Sequence, residues 1–269
     1  MRKITRITTQ KKRKDRYNIY LSDNDKEIYG FSVDEAILVE FNLHKGLELE
    51  DNFIEQLVEK DNVQKSYLLA INYLSYRMRT TKEMKDYLKK KEIDEEHIPI
   101  VMDRLKREKL LDDKAFAQMF VQTRLNTSSK GPLLIKKELM EKGVNELIAA
   151  EAVDHFPYEV QYDKVLSFVE KKLKSSRKES FTKQIQKIQV NLMQKGFMQN
   201  VIQEVLQDIQ HRKNDEEEWD ALVFHADKLL RKHRSKLEGY ELKGKVKEGL
   251  YRKGFSMDLI NQYLDELSE

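Results

Sequence analysis

One register of apolar residues recurs four times along the chain and dictates most of what it can fold into. Leu88, Ile93 and Ile98 set it, followed by Leu139, Val144 and Ala149, by Leu192, Phe197 and Ile202, and by Leu250, Phe255 and Ile260. After each third anchor, apolar side chains continue at plus three, plus four and plus seven: Val101, Met102 and Leu105; Ala152, Val153 and Phe156; Val205, Leu206 and Ile209; Tyr263, Leu264 and Leu267. This is the pattern of a helix ending, a tight turn and a new amphipathic helix. Gly143, Gly196 and Gly254 stand where the ending helix needs a left-handed residue, each after a lysine that suits the negative end of the helix dipole. Glu92 takes that place in the first copy, so its turn is expected to close differently or under strain. The central anchors Ile93, Val144, Phe197 and Phe255 lie 51, 53 and 58 residues apart, room for about three helices per unit. Four three-helix repeats are predicted, over 64–111, 112–158, 159–213 and 214–269.

The composition suits a mainly α protein, with 9 Gly, 3 Pro and no Cys in 269 residues and 36% of them charged. A tandem array spreads its core along the chain, so an elongated, curved molecule is expected. No run approaches the roughly 18 apolar residues of a membrane span, and the first residues lack the apolar segment of a signal peptide, so a cytoplasmic protein with no membrane partner is expected. Without a long heptad run, a monomer is expected.

Residues 1–63 follow other rules. Tyr17, Ile19 and Leu21 alternate with polar neighbours, Ser22 to Asp25 reads as a turn, and Glu27 to Phe31 reads as a partner strand. Ser32 with Glu35 forms a capping-box pattern for a short helix through Phe41 that closes near Gly46. Phe53, Ile54, Leu57 and Val58 resume helical spacing. A basic arm with a small β-hairpin and helix is predicted here.

Charge falls in blocks although the whole chain carries only +3. Residues 1–16 hold eight basic side chains and one acidic, among them Lys11, Lys12, Arg13, Lys14 and Arg16, read as a flexible arm that meets phosphates. The first and third repeats are basic by +4 and +5. Glycine-rich phosphate loops, nucleophile elbows and histidine pairs at metal spacing are missing, and histidines 44, 97, 155, 211, 225 and 233 are scattered. The reading is a protein without catalysis, cofactor or metal.

Two stretches are sharper. The run from Arg77 and Arg79 to Lys82 joins two helices, with Thr80 and Glu83 as a capping box. The run Leu110 to Arg124 hands the first repeat to the second: Asp112 or Asp113 caps a helix burying Phe116, Met119 and Phe120. Then Lys130, Gly131 and Pro132 open a helix with Ile135, Leu139 and Met140 inside and Lys136 and Lys137 outside. Together with the repeat phrase, these stretches resemble the RecX family, regulators of the bacterial recombinase RecA, most closely over residues 64–158; the basic N-terminal region is similar to the longer Gram-positive members.

The resemblance implies a protein that binds the RecA filament on single-stranded DNA, lies along its groove, and suppresses ATP hydrolysis, strand exchange and coprotease activity. Several weak contacts from successive repeats would add through effective concentration. Arg77, Arg79, Lys82, Arg104, Arg107, Arg124, Lys130, Lys136 and Lys137 are the candidate contacts to filament or DNA, and any direct binding of single-stranded DNA is expected to be weak and salt-sensitive. The alternative is a DNA-binding protein of helix-turn-helix-like units acting without RecA, although no helix gathers Arg, Asn and Gln on one reading face. A two-helix repeat array fits less well because its period is shorter.

Overall fold

The computed structural model describes residues 1–24, 26–175, 178–210 and 215–267; Asp25 and His211 lie outside them. Four strands form an antiparallel sheet in the order β3, β2, β1, β4: β1 (Arg2–Thr9), β2 (Arg16–Asp23), β3 (Lys26–Asp34) and β4 (Glu48–Leu49). The hairpin is the expected one, with Ile19 opposite Phe31 and Tyr17 opposite Val33. Residues 2–9, expected in a flexible arm, instead pair with β2, because Ile4 can be buried against Leu21 at only 1% exposure. Helix α1 (Glu35–Glu40) starts one turn detail away from the expected cap: Ser32 lies in β3, and Asp34 accepts from the Ala36 amide. It stops at left-handed Asn42 (φ 46°), with Leu43 N–H donating to Leu38, rather than at Gly46, which turns the chain towards β4.

Twelve further helices follow among the described residues, three to a repeat. They are α2 (Asp51–Ser75), α3 (Thr81–Lys90) and α4 (His97–Arg107); α5 (Asp113–Thr127), α6 (Pro132–Glu141) and α7 (Glu146–Asp154); α8 (Tyr158–Ser175), α9 (Phe181–Gln194) and α10 (Gln199–Gln210); α11 (Asp215–His233), α12 (Gly239–Arg252) and α13 (Met257–Glu266). Helix α2 runs unbroken through residue 63, giving Leu57 to the sheet's core and Tyr67 and Ala70 to the first repeat's. The chain forms two compact units, one of residues 1–116 with 142–144, the other of 117–141 with 145–269. All the phrase anchors are buried except Ile93, which is half-buried. Three expected core residues face water: Met119, Met140 and Leu267 are 56%, 41% and 39% exposed, and Ala117 and Val121 take the inner face of α5 instead. Asp112 caps α5, donating nothing and accepting from the amides of Lys114 and Ala115.

The turns repeat a bonding pattern at atomic detail. Phe197 N–H donates to Leu192 and Gly196 N–H to Met193; Phe255 and Gly254 do the same to Leu250 and Tyr251. Glu92 closes the same pair of bonds, Ile93 to Leu88 and its own amide to Lys89, at φ 56°. The first turn is therefore no different in kind, and its strain is one left-handed glutamate.

What distinguishes the glycine turns is what packs on them. The buried Thr80 hydroxyl, at the cap of α3, donates to the Lys142 carbonyl at 2.7 Å. Gly131 and Leu133, at the start of α6, donate their amides to the Lys195 and Gly196 carbonyls at 2.8 and 3.0 Å. The Ser180 hydroxyl, at the cap of α9, donates to the Lys253 carbonyl at 2.5 Å. In each joint, the second helix of one repeat begins against the lysine-glycine turn of the next. A Cβ on Gly196 would lie 2.3 Å from the Leu134 nitrogen, so the joint excludes a side chain on steric grounds besides its φ of 80°. Exposed Glu92 belongs to the first repeat and has no earlier joint to fill.

Candidate functional site

The candidate cations divide by what already neutralises them. Arg77 forks onto Glu83 at 3.0 and 3.1 Å, and Lys142 reaches the same carboxylate at 3.4 Å. Burial pushes the Glu83 carboxyl up, but Arg77, the Thr80 amide and Lys142 outweigh it and hold it below the usual range. Glu83 also completes the predicted capping box with Thr80. Arg79 lies over Tyr73 at 3.9 Å, on a ring stacked against Tyr87. The stem of Lys82 closes against Gly143. Arg104 sits over Tyr67 and bonds Gln64 and Glu108, while Arg107 on the same helix is exposed.

In the second repeat, Arg124 and Lys130 share Glu138, Lys136 pairs with Glu146, and Lys137 stands 4.0 Å from Glu141. Arginines and lysines engaged in this way already have partners, and an incoming phosphate must compete with them. In the expected arm, Lys11, Lys12 and Lys14 are exposed and Arg13 pairs with Asp15. Arg16 leaves the arm altogether: it is 4% exposed and meets Asp61 at 2.7 and 3.1 Å. Asp61 also accepts from the Asp34 amide and pairs with Lys65. Through Asp34, Gln64 and Arg104, the polar chain continues from the sheet to α4. Arg16 is thus a fold residue, because a buried carboxylate on α2 needs a cation facing it.

Sequence reasoning named no candidate contact residue in the third repeat, and the structure places an open groove of about 790 Å³ there. The end of α5 and the following loop supply Asn126, Thr127, Ser128 and Ser129 to one wall, and α8 supplies Lys164, Ser167, Lys171 and Lys172 to the other, with Phe168 and Lys195 between them. The Lys164 ammonium donates to the carbonyls of Leu125 and Ser128 at 2.7 and 2.6 Å, answering the negative end of α5, and burial lowers its pKa. Lys195 donates to Ser129 at 3.2 Å, and both Lys172 and Lys195 lie beside the Phe168 ring, at 5.8 and 5.3 Å from its centre. Among the described residues, Lys171, Lys172 and Lys195 have no carboxylate within ion-pair distance. The signal available beforehand was the third repeat's basic excess; the contribution of serines from the repeat before was not readable from spacing. Among the described residues, no group of acidic or histidine side chains could hold a metal, and no helix is long and apolar enough to cross a membrane.

Residues 67–105, 112–153 and 159–206 with 215–264 match the first, second and third three-helix domains of RecX, and residues 2–50 match the regulatory protein RecX N-terminal domain. The chain is 53% identical to regulatory protein RecX of Oceanobacillus iheyensis over 99% of its length and 98% of that protein's, and 44% identical to that of Halalkalibacterium halodurans over 98% and 99%. The crystal structure of a regulatory protein RecX superimposes with a TM-score of 0.69 at 35% identity, covering 77% of this chain and all of that one. RecX from Lactobacillus salivarius gives 0.54 at 34% identity over 56% of this chain and 98% of that one. Kinship of this extent, spanning the sheet and every repeat, makes the chain a member of the RecX family of regulatory proteins.

Proposed function

We propose that the protein is a non-enzymatic regulator that binds the RecA nucleoprotein filament and mainly inhibits its ATP hydrolysis, strand exchange and coprotease activity in recombination and repair. The observation that carries this is the near full-length identity to regulatory proteins RecX. Four consecutive three-helix units, each presenting charged outer faces, support contact with a partner that is itself built of repeated subunits. Arg107 and Lys137 are the candidates freest to reach it, Lys137 being 71% exposed at its side chain. Arg77, Arg104, Arg124, Lys130 and Lys136 would engage by exchanging an internal carboxylate for an external one.

The test is RecA's DNA-dependent ATP hydrolysis and strand exchange with this protein added well below the RecA concentration. Loss of both activities supports the reading; unchanged activities overturn it. A second reading, a DNA-binding protein acting without RecA, is favoured by the unpaired lysines of the groove. It predicts binding to DNA that is no tighter when RecA is already present.

A further inference from the structure

The groove between the end of α5 and α8 has the chemistry of a phosphate seat, and it differs from every candidate singled out by sequence. Among the described residues the lining cations outnumber the acid, Asp163, and the hydroxyls of Ser129 and Ser167 stand among them as neutral donors, while those of Thr127, Ser128 and Ser175 already donate to the Thr123, Arg124 and Lys172 carbonyls. Lys164 is already committed to helix-end carbonyls, which removes a negative potential that would repel an anion at this wall. The other three lysines stand free of carboxylates, so binding a phosphate there breaks no internal ion pair.

The seat is also preformed. The loop that carries Ser128 and Ser129 is tied down by the Gly131 and Leu133 amides on the Lys195 and Gly196 carbonyls, the joint described above. Lys195 therefore issues from the joint itself, and its ammonium is held by Ser129 at the groove's edge. Preorganised donors lose little entropy when a ligand arrives. The half-buried Phe168 ring, with two ammonium groups near it, adds an aromatic platform, and cations beside stacked rings are how proteins hold unpaired bases.

We propose that this groove binds a single-stranded nucleic acid, with Lys171, Lys172 and Lys195 on successive phosphates and Phe168 beneath a base. A duplex keeps its bases stacked inside and offers the ring nothing, and an acidic peptide offers charge without a face to stack. The inference rests on the reading that this protein meets single-stranded DNA, and it assigns the place.

The experiment is fluorescence anisotropy of a labelled oligodeoxythymidylate with the full-length protein across a salt series, for the parent chain, K171Q/K172Q/K195Q, Phe168→Leu, and an arm control K11Q/K12Q/K14Q. Urea midpoints report folding of each, and the substituted groove lysines on α8 are exposed. The groove triple should lower affinity at least about tenfold at low salt and flatten the log–log salt slope by about 2, the loss of three single-strand phosphate contacts. Phe168→Leu should weaken binding by about fivefold or more with the slope unchanged, as loss of stacking does. Competition by duplex DNA and by polyglutamate should be weaker than by unlabelled oligonucleotide. A groove triple that binds like the parent while the arm control fails overturns the proposal, as does competition by duplex or polyglutamate equal to that of the oligonucleotide. If the parent chain itself does not bind, the reading beneath the proposal is lost as well, an outcome distinct from intact binding that ignores the groove.

Discussion

Asp61 is the residue on which the N-terminal sheet depends, and its chemistry sets an acid limit. Its side chain and that of Arg16 are 1% and 5% exposed, so neither can turn to water if the other is lost. Asp61→Asn leaves a buried guanidinium facing a neutral amide, and about 3–5 kcal/mol of stability should go with it, read as a fall in the urea midpoint. Burial pushes the Asp61 carboxyl up, but Arg16, Lys65 and the Asp34 amide outweigh it and hold it below its ordinary value of 3.8. A carboxyl depressed by folding stabilises fully above its unfolded value and progressively less as pH falls through the folded one. The gap between parent and Asp61→Asn midpoints should therefore be widest above about pH 5 and narrow below about pH 4. Glu92 is the opposite case. Its left-handed backbone costs without filling a joint, so Glu92→Gly should raise stability by about 0.5–1 kcal/mol.

At the scale of elements, the joints make helix starts into fastening points. Thr80 accepts the Glu83 amide and donates to Lys142 with one hydroxyl, so Thr80→Ala removes a cap and strands a carbonyl together. About 2 kcal/mol should be lost, and Thr80→Ser should recover most of it, both measured by chemical denaturation. Gly196→Ala should cost more, about 3 kcal/mol or above, because the methyl group meets backbone that cannot rotate away. The Thr81 and Phe181 amides donate at 2.7 Å to carboxylates of the next repeat, Asp113 and Glu218. Pro132 occupies the same helical position in the second repeat and has no amide to satisfy, which explains proline there beyond its suitability for a first turn. Asp113 thus belongs to the joint while Asp112 caps, a choice that spacing alone leaves open.

For the molecule as a whole, what was legible followed from periodicity. The anchors announced the repeats and their turns because a helix must close its last turn in one of few ways and must bury a stripe at fixed intervals. The hairpin was legible from alternation, but β1 was not, since Arg2, Lys3 and Arg6 read as charge while Ile4 was the residue that mattered. Charge was the poorest guide to the site: the arginines that stood out in the sequence are held by Glu83, Glu108 and Glu138, whereas the groove is assembled from two repeats and no single segment advertises it. The joints carry one more implication. Each is built from a hydroxyl or amide at a helix start on one side and a lysine-glycine turn's carbonyls on the other, so the accepting half of every joint is backbone. A lineage can then gain or shed a whole repeat by duplication or deletion without inventing a matching surface, and copy number becomes something that evolution can count up or down.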